Sequence, residues 1–217
     1  LELDLGAEDD STDLGQQFTY RKLQAGSNAA HAADRLHSVL NLIGLQLNEG
    51  TKDTPERWVR YVLEFMQGTG PTESVIGELF DHERDDSIQG MVIQSAIPFR
   101  MICEHHLLPA IGHAHIGYLP RNKVVGLSKL TRLVDAVGTE KPTLQEAITN
   151  RIAAILFDKA ECMGVMVMLE AEHTCMACRG VNRAGVKTIT SSVLGVFRDV
   201  PAARSEFLSL INKKGQI

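Results

Sequence analysis

The sequence predicts an α+β fold: helices first, then two strands, two helices and two strands. Three observations predict it. Before about residue 80, apolar residues recur every three or four positions, the period of an amphipathic helix. Beyond residue 90, short apolar runs bounded by Pro, Gly and Asn replace that period. Two further helical patterns, around residues 128–137 and 143–160, separate the first pair of runs from the second,.

Taken in order, residues 1–26 read as a tail, rich in Gly, Ser, Gln and acids. From Asn28, the spacing of Ala29, Ala33, Leu36, Leu40, Ile43 and Leu47 predicts a helix ended by Gly50,. Thr54-Pro55 starts a second, with Thr as cap and Pro in the first turn. Its apolar face is Trp58, Val62, Leu63 and Met66. A short helix is expected over 72–80. Residues 90–102 predict a strand with an irregularity at Pro98, and His113 to Leu119 a second, followed by a turn at 120–123. Ser128 to Val137 predicts a helix capped by Ser128. Thr143 to Ala160 predicts another, with Leu144, Ala147, Ile148, Ile152, Ile155 and Leu156 on one side. Val165 to Ala171 and Lys187 to Phe197 are the last strands, and 201–211 a closing helix.

Composition narrows the function. Hydrophobic residues make up 44% and charged residues 23%, ordinary for a folded globular chain. No apolar run reaches the ~20 residues that a membrane helix needs, and no start of the chain reads as a signal peptide. The net charge is −5. Glu2, Asp4, Glu8, Asp9, Asp10 and Asp13 account for six acids, so the remainder carries +1. That balance, with aromatics at 5%, argues against a nucleic-acid partner. Four cysteines without a secretion signal point to a reducing, cytoplasmic setting,.

Two segments carry the chemistry. Cys103-Glu104-His105-His106 offers a thiolate and imidazoles, the preferred zinc donors,. Cys103 and His106 are three positions apart, so one turn can bring both to a metal. His173-Thr174-Cys175-Met176-Ala177-Cys178-Arg179-Gly180 supplies Cys175 from a distant part of the chain. Spacing alone admits two sites. One is closed and structural: Cys103, His106, Cys175 and Cys178. The other is open and catalytic, without Cys178. The additional His105, His173 and Glu104 favour the open one. Downstream, Ser128-Lys129-Leu130-Thr131-Arg132 places Ser128 and Arg132 on one helix face beside free N–H groups, which suits a polyphosphate. In isolation the same segment also reads as a capped, solvated helix. Met163, Met166 and Met168 read as core, Cys162 as core, and His113 and His115 as sharing one face of a strand.

The motifs CEHHLLP at 103–109, GHAHIGYLP at 112–120, GLSKLTRLVD at 126–135, LQEAIT at 144–149, EHTCMACRGV at 172–181 and KTITSSVLGVF at 187–197, with TPERW at 54–58, resemble GTP cyclohydrolase I. The resemblance spans roughly residues 30–211. It implies a tunnelling fold, an antiparallel four-stranded ββααββ sheet with N-terminal helices, whose sheets assemble side by side into barrels. It divides the chain into an acidic tail (1–26), an N-terminal helical part (27–85) and a catalytic domain (86–217). It implies a homodecamer with active sites between subunits and GTP as substrate.

By the same resemblance, Cys103, His106 and Cys175 match the Zn2+ ligands. His105 matches the residue that exchanges protons with the opening imidazole ring. His173 matches a site histidine near the ribose, and Ser128 the serine linked to sugar rearrangement and ring closure. Lys129, Arg132 and Arg179 match triphosphate ligands, with Arg57 added from a neighbouring subunit. Glu146 matches the carboxylate that reads guanine N1 and N2, with Gln145 beside it, and Glu104 belongs to the same substrate site. The sequence departs from the family pattern at Ala147, where an arginine is usual, and at Cys178, expected as a small buried residue. Two other readings use the same residues: a zinc-stabilised binding protein with Cys178 closing the metal shell, and a nitrile reductase of the same fold with a cysteine nucleophile.

Overall fold

The computed structural model describes residues 26–66, 80–81, 90–121 and 123–212. The acidic tail expected over 1–26 lies outside them except for Gly26, as does the helix expected over 72–80 except for Phe80. The chain forms two compact units, Leu1–Met66 and Gln67–Ile217.

In the first unit, α1 (Asn28–Leu42) is capped by Ser27, whose hydroxyl accepts from the Ala30 N–H at 3.2 Å,. It stops earlier than the apolar spacing predicts, because Gly44 takes a φ of 85° and its N–H turns back to the Asn41 carbonyl,. α2 (Thr54–Met66) follows, with Pro55, Val59 and Phe65 buried.

The second unit holds the predicted sheet. Its strands are β2 (Val92–Ile102), β3 (Pro109–Leu119), β5 (Gly164–His173) and β6 (Lys187–Gly195), paired antiparallel in that order. A separate two-residue pair joins β1 (Phe80–Asp81) and β4 (Lys123–Val124). Between β4 and β5 run α3 (Leu127–Thr139) and α4 (Gln145–Lys159). Beyond β5 come a single turn, α5 (Thr174–Ala177), then after β6 α6 (Val196–Asp199) and α7 (Pro201–Asn212).

Alternation decides the faces. Ala114, Ile116 and Tyr118 of β3 and Val165, Val167 and Leu169 of β5 point one way. They pack against Leu130, Leu133, Val134 and Val137 of α3 and Ile148, Ile152 and Leu156 of α4. The opposite face is covered at one end by Phe197, Phe207 and Ile211, with Met166 and Met168 joining them. Gly117 makes that approach possible, since a Cβ there would lie 2.5 Å from the Phe207 ring. Met163 is exposed, and Cys162 is buried as expected.

Two local expectations are corrected. The irregularity in β2 lies between Gln94 and Ile97, not at Pro98, which pairs in register with His113. Ala96 takes a φ of 55° there, and its N–H donates to His115 Nδ1 at 3.3 Å, so the imidazole satisfies a donor that the bulge takes out of the ladder,. Ser128 does not cap α3. Gly126 holds that position without a side-chain bond, and Ser128 sits in the first turn with its side chain exposed.

Candidate metal centre and substrate site

Antiparallel pairing brings three chain segments to one end of the sheet. β2 ends as β3 begins, and the register pairs Ala110 with His173, so the end of β5 lies beside the start of β3. The turn from β2 to β3 contains Cys103. It is closed by the Cys103 N–H donating to the Leu108 carbonyl (3.0 Å) and the Leu107 N–H donating to the Cys103 carbonyl (2.9 Å), with Leu107 at a φ of 52°. The α3–α4 link braces it from the other side. The Thr143 N–H donates to Ile102 (3.2 Å) and the Glu104 N–H to Thr143 (3.3 Å). Across the gap, the Thr174 hydroxyl donates to the Pro109 carbonyl at 2.6 Å and ties the start of α5 to β3.

This framework brings Cys103, His173 and Cys175 together, with one ligand atom of each within 4.8 Å of the others. The group can hold a metal ion. Cys103 is buried, and His173 and Cys175 are half-buried. Burial pushes the Cys175 thiol up, reinforced by the neighbouring Cys103. Burial likewise lowers His173, opposed in part by the field of Glu146. A bound metal cation would act against that shift and favour the Cys175 thiolate.

The other predicted residues divide. His105 stays close, its Nδ1 3.9 Å from Cys103 Sγ and its Nε2 3.8 Å from a Glu104 carboxylate oxygen. His106 is exposed in the same turn, outside the three-residue group, with its ring centroid 6.4 Å from that of His105. Glu146 is exposed at the start of α4, close enough to act on His173. Arg179 is exposed just past α5 and close enough to act on Cys175.

Ser128, Lys129 and Arg132 lie at the other end of α3. Thr131 meets Gln94 in β2 (3.2 Å), whereas Gly138 lies against the Arg100 backbone near the end of that strand. About 15 Å of helix separates Ser128 from Gly138. Arg57 belongs to the first compact unit, where it pairs with Asp53 at 3.7 Å.

Cys178 was expected to be buried and is exposed. Its thiol donates to the Thr174 carbonyl at 2.8 Å, one turn back, and it is not among the three metal-capable residues. All four cysteines are free.

Spacing does not reveal how thoroughly Gln145 is engaged. It is 2% exposed, and its amide bonds to β5, to β6 and to His173. The signal in the sequence is a polar pair one turn apart, Gln145 and Thr149, on a helix face that otherwise buries Ile148, Ile152, Ala153 and Leu156.

Residues 32–212 match the family model described as GTP cyclohydrolase I. The chain is 45% identical over 181 residues to the GTP cyclohydrolase 1 of Listeria monocytogenes serotype 4a, covering 82% of this chain and 94% of that one. It is 41% identical over 167 residues to the GTP cyclohydrolase 1 of Thermoanaerobacter pseudethanolicus, covering 76% and 87%. A solved structure of an apo archaeosine synthase QueF-Like overlaps 48% of this chain and 93% of that one at 14% identity and a TM-score of 0.39, too little to bear on the argument.

Proposed function

The chain belongs to the GTP cyclohydrolase I family, and on that premise we propose that it opens the imidazole ring of GTP at C8, releases formate and rearranges the remainder to 7,8-dihydroneopterin triphosphate, the first step of tetrahydrofolate and pterin biosynthesis. The observation that carries this reading is the convergence of two thiols and an imidazole at one end of the sheet, in a chain matched along most of its length.

Two sulfur donors and ring nitrogens form a donor set that fits Zn2+. Cys103 and Cys175 would supply the thiolates, and His106, exposed and outside the converged group, would supply the imidazole by the family pattern, with the converged His173 as the site histidine near the ribose. When bound, zinc supplies an activated water for attack at C8. The chain's own residues do the rest. His105, against Cys103, exchanges protons with the ring nitrogen as the imidazole opens. Glu146 accepts from guanine N1 and N2, so adenine would leave its carboxylate unpaired. Arg179, Lys129 and Arg132 neutralise the triphosphate, with Arg57 added from a neighbouring subunit, and Glu104 belongs to the same substrate site. Ser128 acts in the sugar rearrangement and ring closure.

Those assignments need more than one copy of the chain. The distance between the Cys103 turn and the start of α3 supports a second copy supplying Ser128, Lys129 and Arg132. The sheet supports the same reading. Among the described residues, β2 and β6 are edge strands with no outer partner, and Ile189 on β6 is 61% exposed,. We therefore assign sheets joined edge to edge into barrels, and a decamer of two stacked rings. Its mass in solution tests this, and a monomer active at nanomolar concentration refutes it. Four free thiols support a cytoplasmic residence,. Among the described residues, no helix is long and apolar enough to cross a membrane.

The test of the activity is direct. Zinc-loaded protein incubated with GTP should release formate and, after oxidation, give a fluorescent pterin. Full zinc occupancy without formate release refutes the reading.

A further inference from the structure

We propose that Gln145 is a positioning residue that fixes the tautomer of His173, holding its proton on Nε2 and leaving Nδ1 as a free lone pair. The argument is a count of protons in a closed ring of hydrogen bonds. Thr149 donates its only hydroxyl proton to the Gln145 backbone carbonyl at 2.8 Å. The 2.6 Å contact between the Thr149 and Thr190 hydroxyls is therefore donated by Thr190,. Thr190 then has no proton left and can only accept from the Gln145 amide, 3.1 Å away. The two other groups on that side, the carbonyls of Leu169 (3.3 Å) and Thr188 (3.0 Å), also only accept.

Three acceptors on one side require the NH2 end of the amide there. The orientation of an amide is normally ambiguous; here its neighbours decide it. Oε1 is left facing His173 Nε2 at 2.9 Å, and an oxygen without a proton needs a donor. Nε2 therefore carries the hydrogen. In the neutral ring, Nδ1 then holds the lone pair, on a side chain whose ligand atom lies within 4.8 Å of both thiols,.

The anchoring is stiff for a physical reason. The clamp joins the first residue of α4 to two neighbouring strands, and Gln145 is buried. A rotation of the amide would place a carbonyl oxygen against three acceptors and desolvate all of them without a bond. The arrangement is that of a ligand or base histidine oriented by its other nitrogen. The tautomer stands on the hydrogen bonds alone, and only its catalytic consequence rests on the GTP cyclohydrolase reading. The Gln145 side chain is thereby assigned to His173 and not to guanine.

The test reads the tautomer itself. Magic-angle-spinning spectra of sedimented, zinc-loaded protein with 15N-labelled histidine, assigned by difference against His173→Asn, should show Nε2 protonated and Nδ1 unprotonated. Gln145→Leu should give a mixture of tautomers. With GTP, Gln145→Leu should lose about 10- to 100-fold in kcat, the scale for such supporting partners, with KM nearly unchanged. Should Gln145→Leu fail to fold, Gln145→Met, closer in volume, replaces it. A wild-type spectrum with Nδ1 protonated overturns the proposal. So does a Leu or Met variant whose tautomer is unmoved, or one that raises KM while keeping kcat. Because the spectra need no turnover, the correct tautomer in a protein that never consumes GTP would sink the activity and leave this inference standing.

Discussion

Replacing Gly138 by alanine sets two effects of opposite sign against each other. Gly138 lies near the end of α3 without a positive φ, so helix propensity alone favours alanine by roughly 0.5–1 kcal/mol,. Its surroundings do not. An added Cβ would lie 2.5 Å from the Arg100 carbonyl oxygen, a backbone atom, and 3.2 Å from the Phe99 ring. Ordinary contact begins at 3.4 Å, so α3 must withdraw from β2 by 0.9 Å, the difference between 3.4 and 2.5. Overpacking of this kind costs about 1–3 kcal/mol. The gap it opens along Leu133, Val134 and Val137 also forfeits part of their dispersion contact,. The clash wins by roughly 1–2 kcal/mol, which for a chain of this size lowers Tm by about 2–8 °C. Calorimetry at fixed protomer and zinc concentration reads the shift, both held constant because each alters apparent stability. Activity should fall as well, because the segment after Gly138 carries Thr143, which braces the Cys103 turn, and Gln145. A Tm that rises by the propensity alone refutes the reasoning.

Cys175→Ser should abolish stoichiometric zinc by metal analysis, and Cys178→Ser should retain both zinc and GTP turnover, since the Cys178 thiol is engaged by the Thr174 carbonyl. Loss of zinc in Cys178→Ser would revive the closed site. Alkali should destabilise the fold. Burial raises Cys162 above its ordinary 9.0 and Tyr118 above 10.0. Their contribution is complete below those values. It is lost as pH climbs through the folded pKa values, because the unfolded chain gives up its protons first. Urea midpoints falling from about pH 9 upward check the sign, and a midpoint that is flat or rising to pH 11 contradicts it.

Periodicity was sufficient for the elements that bury one clean face. The i, i+4 spacing of Ile148, Ile152 and Leu156 fixes α4, and the alternation of Ala114, Ile116 and Tyr118 fixes β3. It failed where a single backbone position decided the outcome. The end of α1 depends on Gly44 reversing the chain, although apolar residues continue to Leu47. The bulge depends on Ala96 and on His115, nineteen residues away, so Pro98 was a plausible but wrong marker. A serine two residues into α3 looked like a cap because the sequence does not show that Gly126 already has the extended backbone a cap needs. The two thiols could be read because Cys is rare and their motifs are distinctive. Gln145 is placed in the site by the resemblance, but its partners are not legible, because they lie 24, 28, 43 and 45 residues away.

The same geometry explains why the chemistry sits at this end of the sheet. An antiparallel meander places the end of β2, the start of β3 and the end of β5 side by side, so a thiol before β3 and a thiol after β5 meet without any long loop. α4 starts over the same seam, and its first residue reaches both β5 and β6. One helix start thus orients a histidine that belongs to a strand end. The cost is directional: α3, running from the opposite end of the sheet toward the Cys103 turn, has its free N-terminus where the thiols are not. On the proposed reading, imidazole positioning at the α4 start and phosphate binding at the α3 start fall at opposite ends of the sheet. The second copy proposed above would remove that conflict by bringing its own α3 start to the first copy's thiols, and among the described residues β2 and β6 are the edge strands open to such pairing.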